Sequence, residues 1–354
     1  METFTKIRNY YSKAIQKKEN KMTELLKEIP LIPQVLKPEY VHPDWEKFIP
    51  PYNLYRFEKG GIRWYYELTD NGPVFYPSET SHIKLTRPTS KYLIDWKVRY
   101  GEYMAGKILS EAADYGTVMH VTFKDWYTAH VIGESLDIDK VILTNLALAS
   151  LYENREACFH SGGVWITDPW RERLHSDLRA FIKWLQDYEV KIYMMEVILR
   201  TEKWKVAGAM DILCEMNDKN YTDKTPVDKR KRVIAEVDLK SGGIYPDHAD
   251  QLAGYGLMWH ETFPAGPKIE RYYNWSPKEW RKEPTYELKD WTDIIQENQK
   301  RIEYYLQINL LDLASGALKP PTVKEFNSTV NPDHLTDSYL FMEAGEWVQK
   351  QFKK

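Results

Sequence analysis

Cysteine is almost absent from this chain: Cys158 and Cys214 are its two thiols in 354 residues. That excludes a disulfide framework and a cysteine-based zinc site, and it fits a reducing cytoplasm. Long apolar runs are missing as well. No stretch approaches the roughly 20 residues that a membrane span needs, and the N-terminal METFTKIRNYYSKAIQKKENK lacks the apolar core of a secretory signal. A soluble protein without a membrane partner is the expectation. No internal repeat is visible, and no G-x-x-x-x-G-K-[ST] occurs, so the chain has no motor motif of its own. A large charge of one sign is also lacking. The formal net charge of −3 argues against a protein that coats nucleic acid, while a locally basic groove is compatible with it.

What is present is enough for a sizeable core, since 43% of the residues are hydrophobic. Aromatic residues are abundant, with 13 Trp and 25 Tyr; most belong to packing, and an exposed one near a site can stack on a base. Residues 1–30 read as an amphipathic, Lys-rich helix and 31–60 as an irregular Pro- and aromatic-rich arm on the surface. GGIRWYYEL and GPVFYPSE read as a hairpin around Asn71-Gly72. From Arg87 the pattern is helical, with Leu93, Trp96 and Tyr100 in spacing, and Gly116 marks a break before a helix over 117–131 that carries His120. Residues 135–190 are helical, and Arg171, Arg173 and Arg179 make either a solvated face or a phosphate-facing one. Strands follow at 191–200, 205–216 and 233–240, then a helix over 248–262, a strand over 268–275 and helices over 291–308 and 340–352. The expected division is an N-terminal helix, arm and hairpin (1–84), a core (85–310) and a C-terminal tail (311–354).

Chemistry concentrates between Val206 and Tyr255. In Val233–Gly242 the side chains two apart share a face, so Glu236, Asp238 and Lys240 point one way and Val237 and Leu239 the other. Buried unpaired ions are costly, so two carboxylates and an ammonium on such a strand imply a use for the charges. The preceding strand adds Asp211 after Gly208. Carboxylates from adjacent strands suit Mg²⁺ or Mn²⁺, and a lysine two residues after such an acid can orient or help deprotonate a water. Between the two strands a polar loop ends in Lys229, Arg230, Lys231 and Arg232. Beside the site these cations would meet backbone phosphate; otherwise they are a solvated hairpin tip. Gln251 and Tyr255, four apart, share a helix face, with His248 one turn earlier.

Taken together, Gly208-x-x-Asp211, Asp238-x-Lys240 before Ser-Gly, Gln251-x-x-x-Tyr255, the upstream Gly116-x-x-x-His120 and the intervening Glu196 have a family likeness. Over roughly residues 85–275 the chain resembles the RecB-like, phage-type exonuclease branch of the PD-(D/E)xK nuclease superfamily. The run YPSETSHI…YLIDWKVRYG…AADYGTVMH is similar to the S-V-T-x-x-L…W…G…A…G-T-x-x-H run of such nucleases. The resemblance implies an α/β, restriction-endonuclease-like core with a mixed central sheet flanked by helices. It implies a metal-dependent DNA nuclease, an exonuclease acting on DNA ends in recombination, repair or phage DNA processing, in a bacterial or phage-infected cell. Asp211, Asp238 and the Leu239 carbonyl would hold Mg²⁺ or Mn²⁺, with His120 and Glu196 completing or flanking the shell. Glu236 could substitute for Asp238. Lys240 would position the attacking water, and Gln251 and Tyr255 would hold the lysine or the scissile strand. Two cysteines are too few for the iron–sulfur cluster of some relatives, so the likeness is to the cluster-free ones. The alternative is a DNA-binding accessory protein that works through residues 1–80 with a recombination or replication partner.

Overall fold

Strands that are apolar in runs rather than in alternation belong in the middle of a sheet covered on both sides. KIYMMEVILRT and VAGAMDILCEMN are such runs, and the computed structural model sets them side by side at the centre of a sheet. It describes residues 36–59, 62–70, 72–133, 137–139, 141–142, 145–146, 168–219 and 230–321; the helices expected over 1–30 and 340–352, Asn71 and Lys229 lie outside these. The strands are β1 (Tyr40–Val41), β2 (Tyr55–Lys59), β3 (Ile62–Thr69), β4 (Gly72–Pro77), β5 (Lys191–Thr201), β6 (Val206–Asn217), β7 (Arg232–Leu239), β8 (Arg271–Lys278) and β9 (Thr285–Asp290). The helices are α1 (Glu79–Thr86), α2 (Lys91–Tyr100), α3 (Glu102–Val131), α4 (Asp168–Asp187), α5 (His248–Thr262) and α6 (Ile295–Ser315).

The main sheet has the order β1-β5-β6-β7-β8-β9. Only β7 and β8, joined through α5, run parallel. One face is covered by α3 and α4, where Phe123 stacks on Phe181 with centroids 4.5 Å apart and both meet Trp275 edge-on. The other face is covered by α5 and α6 through Leu252, Trp259 and Ile302. The protein is thus mixed α/β, with a mixed central sheet flanked by helices. A second sheet, β2-β3-β4, packs Tyr65 and Tyr76 against Ile198 and Ala207. Among the described residues no helix is long and apolar enough to cross a membrane.

Several expectations are corrected by this arrangement. Over 36–59 the arm is not an irregular surface wrap: β1 pairs with Met194 and Met195 of β5, Trp45 is buried against Tyr193 at 4.1 Å, and β2 adds a third strand to the hairpin. Aromatic burial organises this segment, and no alternation of polar and apolar residues marks it beforehand. Arg230, Lys231 and Arg232, the described cations of the basic loop, are not beside the acids. The β6–β7 ladder runs from Asn217↔Arg232 to Ile212↔Val237, which puts Arg232 at one end and Asp211 and Asp238 at the other, about 20 Å away along the strand. The described cations there are also engaged: Arg230 with Glu189 at 2.8 Å, Lys231 with Glu270 at 2.8 Å and Arg232 with Glu215 at 3.5 Å.

Gly116 does not interrupt the chain either. Helix α3 is continuous through it, and the break falls at Gly101, whose φ of 76° suits a residue without a Cβ. A Cβ at position 116 would stand 3.4 Å from Ser241 Oγ, an ordinary contact. Gly116→Ala is therefore expected to raise stability by up to about 1 kcal/mol, the helix-propensity difference, in chemical denaturation. A loss of stability would mean that the position needs glycine for its backbone.

Candidate metal centre

The β6–β7 ladder ends at Ile212↔Val237, and a side chain takes over the next rung: Asp211 Oδ2 accepts from the Leu239 N–H at 2.7 Å. From the sheet face covered by α3, His120 reaches the same point. Its Nδ1 is 3.2 Å from Glu196 Oε1 and its Nε2 3.9 Å from Asp211 Oδ2. One ligand atom from each of His120, Glu196 and Asp211 lies within 4.8 Å of the others. Their side chains keep 25%, 22% and 11% of their exposure, so the cluster opens to solvent. Glu196 has φ 52°, a left-handed conformation that costs an ordinary residue on the order of 1 kcal/mol. Its neighbours Met195 and Val197 keep sheet register with Ile212 and Met210, which confines the strain to the residue that meets His120.

The electrostatics match a cation site. Burial raises the Asp211 carboxyl to about 8, against the pull of His120 and with Asp238 and Glu196 adding to the rise. Burial disfavours the His120 imidazolium, yet Asp211, Glu196 and Asp238 override it and raise the group to about 9. Carboxylates crowded against one another hold protons that a divalent ion can replace. Two carboxylate oxygens and one imidazole nitrogen make a donor set suited to a divalent cation.

Asp238 stands outside that triad. Its side chain is 2% exposed and its Oδ2 is taken by two donors, Lys240 Nζ at 2.7 Å and Asn274 Nδ2 at 2.5 Å. Asn274 is its register partner on parallel β8, and Trp291 Nε1 donates to Asn274 Oδ1 at 2.7 Å. Beyond the lysine the chain continues: Lys240 Nζ donates to Gln251 Oε1 at 2.9 Å and Gln251 Nε2 to Tyr255 Oη at 3.0 Å. The pair expected on one face of α5 thus fastens the lysine. Leu239 enters through its N–H on Asp211. Glu236, the substitute ligand expected beside Asp238, is fully buried without a hydrogen bond, and burial together with Asp238 and Glu79 pushes its pKa well up.

No protein-family model matches the chain, and no curated protein does.

Gly208 and Gly254 have a steric reason. A Cβ on Gly208 would sit 2.6 Å from Tyr255 Cε1, so the glycine lets the tyrosine lie flat against β6. A Cβ on Gly254 would run into the carboxyl of Glu79. Glu79, from the start of α1, is a second fully buried acid without a hydrogen bond, raised well up by burial and by Asp250 and Asp238. Asp250 is buried between Arg87 and Arg301, each at 2.6 Å. Arg173 lies over the Tyr115 ring at 3.7 Å and donates to the Ser241 carbonyl, tying α4 to the turn after Lys240. The motif spacing does not mark Glu79 or Asn274, and Arg173, expected on a solvated or phosphate-facing surface, is instead engaged by Tyr115 and Ser241. Two signals were legible: Asn274 as a lone amide in the apolar run YYNW, and Gly254 inside a helix, where a glycine implies close approach.

Mn²⁺ affinity, measured by isothermal titration, is expected to rise from pH about 6 to about 9, because the cation displaces protons whose pKa values in the metal-free site are raised. Asp211→Asn and Glu196→Gln should each weaken binding by at least about tenfold. An affinity independent of pH and of both substitutions would remove the metal from this cluster.

Proposed function

We propose that the chain is a divalent-metal-dependent nuclease of the RecB-like PD-(D/E)xK kind, hydrolysing phosphodiester bonds in DNA and acting as an exonuclease at ends. One observation carries the reading: a solvent-open His120–Glu196–Asp211 cluster stands beside a lysine that Asp238 and Gln251 hold in place. His120, Glu196 and Asp211 are the residues that would hold Mg²⁺ or Mn²⁺. When bound, the cation would neutralise charge that builds on the phosphate oxygens.

The remaining chemistry belongs to the chain. Lys240 has three N–H donors; among the described residues Asp238 and Gln251 take two, and the third would orient a water or a phosphate oxygen. Fixing the ammonium beforehand removes an ordering cost from the reacting complex. Asn274 supports Asp238 from behind, so the carboxylate does not swing away from the lysine. Tyr255, its pKa raised by burial, stays a neutral phenol behind Gln251.

The test is digestion of end-labelled linear single- and double-stranded DNA beside a closed circle, with Mg²⁺, Mn²⁺ or EDTA. Loss of the linear forms alone is expected, with Lys240→Ala and Asp211→Asn slower by about a hundredfold or more. Cutting of the circle would make the protein an endonuclease. No cutting under any metal would leave a binding role only.

A further inference from the structure

Helix α2 has no buried residue, although it carries Tyr92, Leu93, Ile94, Trp96, Val98 and Tyr100. A helix in a folded domain ordinarily buries its apolar face, and the described residues leave the aromatic face of this one uncovered. Its rings fall at 92, 96 and 100, which brings them to one face. Trp96 and Tyr100 are 5.1 Å apart, Tyr92 meets Tyr245 at 6.4 Å, and Tyr245 meets His248 at 5.6 Å. His248 is one turn of α5 before Gln251, the residue that accepts from Lys240. The rings therefore form a line from an exposed helix to the edge of the metal centre. Tyr92 is 68% exposed, Tyr100 49% and Tyr245 47%.

Charge separates nucleic acid from protein as the occupant. Lys91, Lys97 and Arg99 are exposed on α2, and Asp95 is its single acid, in a chain of net charge −3. Spacing separates one strand from two. Rings four residues apart on a helix are about 6 Å apart along its axis, against about 3.4 Å between stacked duplex bases. Only a strand drawn out of a duplex can offer each ring its own base.

We infer that Tyr92, Trp96, Tyr100 and Tyr245 form a stacking track for single-stranded nucleic acid on its way to the metal centre. The inference rests on the nuclease reading, and its test separates the two. Anisotropy of a fluorescein-labelled single-stranded oligonucleotide and of a blunt duplex, in EDTA, is compared for wild type and for Tyr92→Ala/Trp96→Ala/Tyr100→Ala. Single-strand affinity is expected to fall about tenfold per ring removed, and duplex affinity to change by less than about twofold. The corresponding triple Phe variant keeps the rings and should bind as wild type does, which controls for the fold. Ring-dependent binding without cutting in Mg²⁺ or Mn²⁺ would keep the track and remove the nuclease. Cutting by wild type, with the Ala variant equal to it in single-strand affinity, would keep the nuclease and overturn the track. A change from dimer to monomer in the Ala variant, with affinity unaltered, would assign the face to a protein contact and overturn the track too.

Discussion

The ion pair between Lys240 and Asp238 is the constraint on which the site is built. Asp238 is almost wholly out of water, and a carboxylate there is tolerable only with close partners. Removing one member of such a pair leaves a buried uncompensated charge, which costs about 3–5 kcal/mol. The ammonium and the Asn274 amide supply those partners, and Gln251 and Tyr255 fix the ammonium. Strands β7 and β8 and helix α5 are thereby locked to one another at the end of the sheet where Asp211 also lies. The parallel pairing of β7 with β8 is what puts Asn274 opposite Asp238.

Around this pair the protein keeps more acid than it neutralises. The carboxyls of Glu79 and Glu236 are buried with no hydrogen-bond partner among the described residues, and burial raises the pKa of both, with Glu79 adding to the rise at Glu236, which favours their neutral forms. Asp250 is treated differently, with an arginine on either side. The outcome is a gradient: buried acids whose neutral form is favoured in the interior, a paired aspartate at the wall, and at the mouth a cluster of two carboxylates and a histidine. Glu196 takes its left-handed backbone at the mouth, inside a strand, whereas Glu189 and Lys205 adopt theirs in turns. Natural chains keep such departures where geometry matters more than stability.

The helical layer over the site is stabilised from the other direction. Helix α3 is buried along its second half, around His120, and its first half and α2 are largely exposed. Ser241 Oγ donates to the Ala112 carbonyl and Arg173 to the Ser241 carbonyl, so the turn after Lys240 is tied to both α3 and α4.

The sequence alone determined the mixed α/β class and the central strands, because their apolar runs admit little else. It determined the helix His248–Thr262 and the shared face of Gln251 and Tyr255, which follow from helical spacing. It grouped Asp211, Asp238, Lys240, Glu196 and His120 through local motifs. Only the tertiary structure decided which of them converge: Asp238 turns to Lys240 and Asn274, while His120, Glu196 and Asp211 meet. It also decided that Arg230, Lys231 and Arg232 lie at the far end of β6 and β7 from the acids and that Trp45 and Glu79 are interior. These are matters of register and long-range packing between residues far apart in the chain. Periodicity records which way a side chain points from its own strand or helix, and it carries no information about what lies across from it.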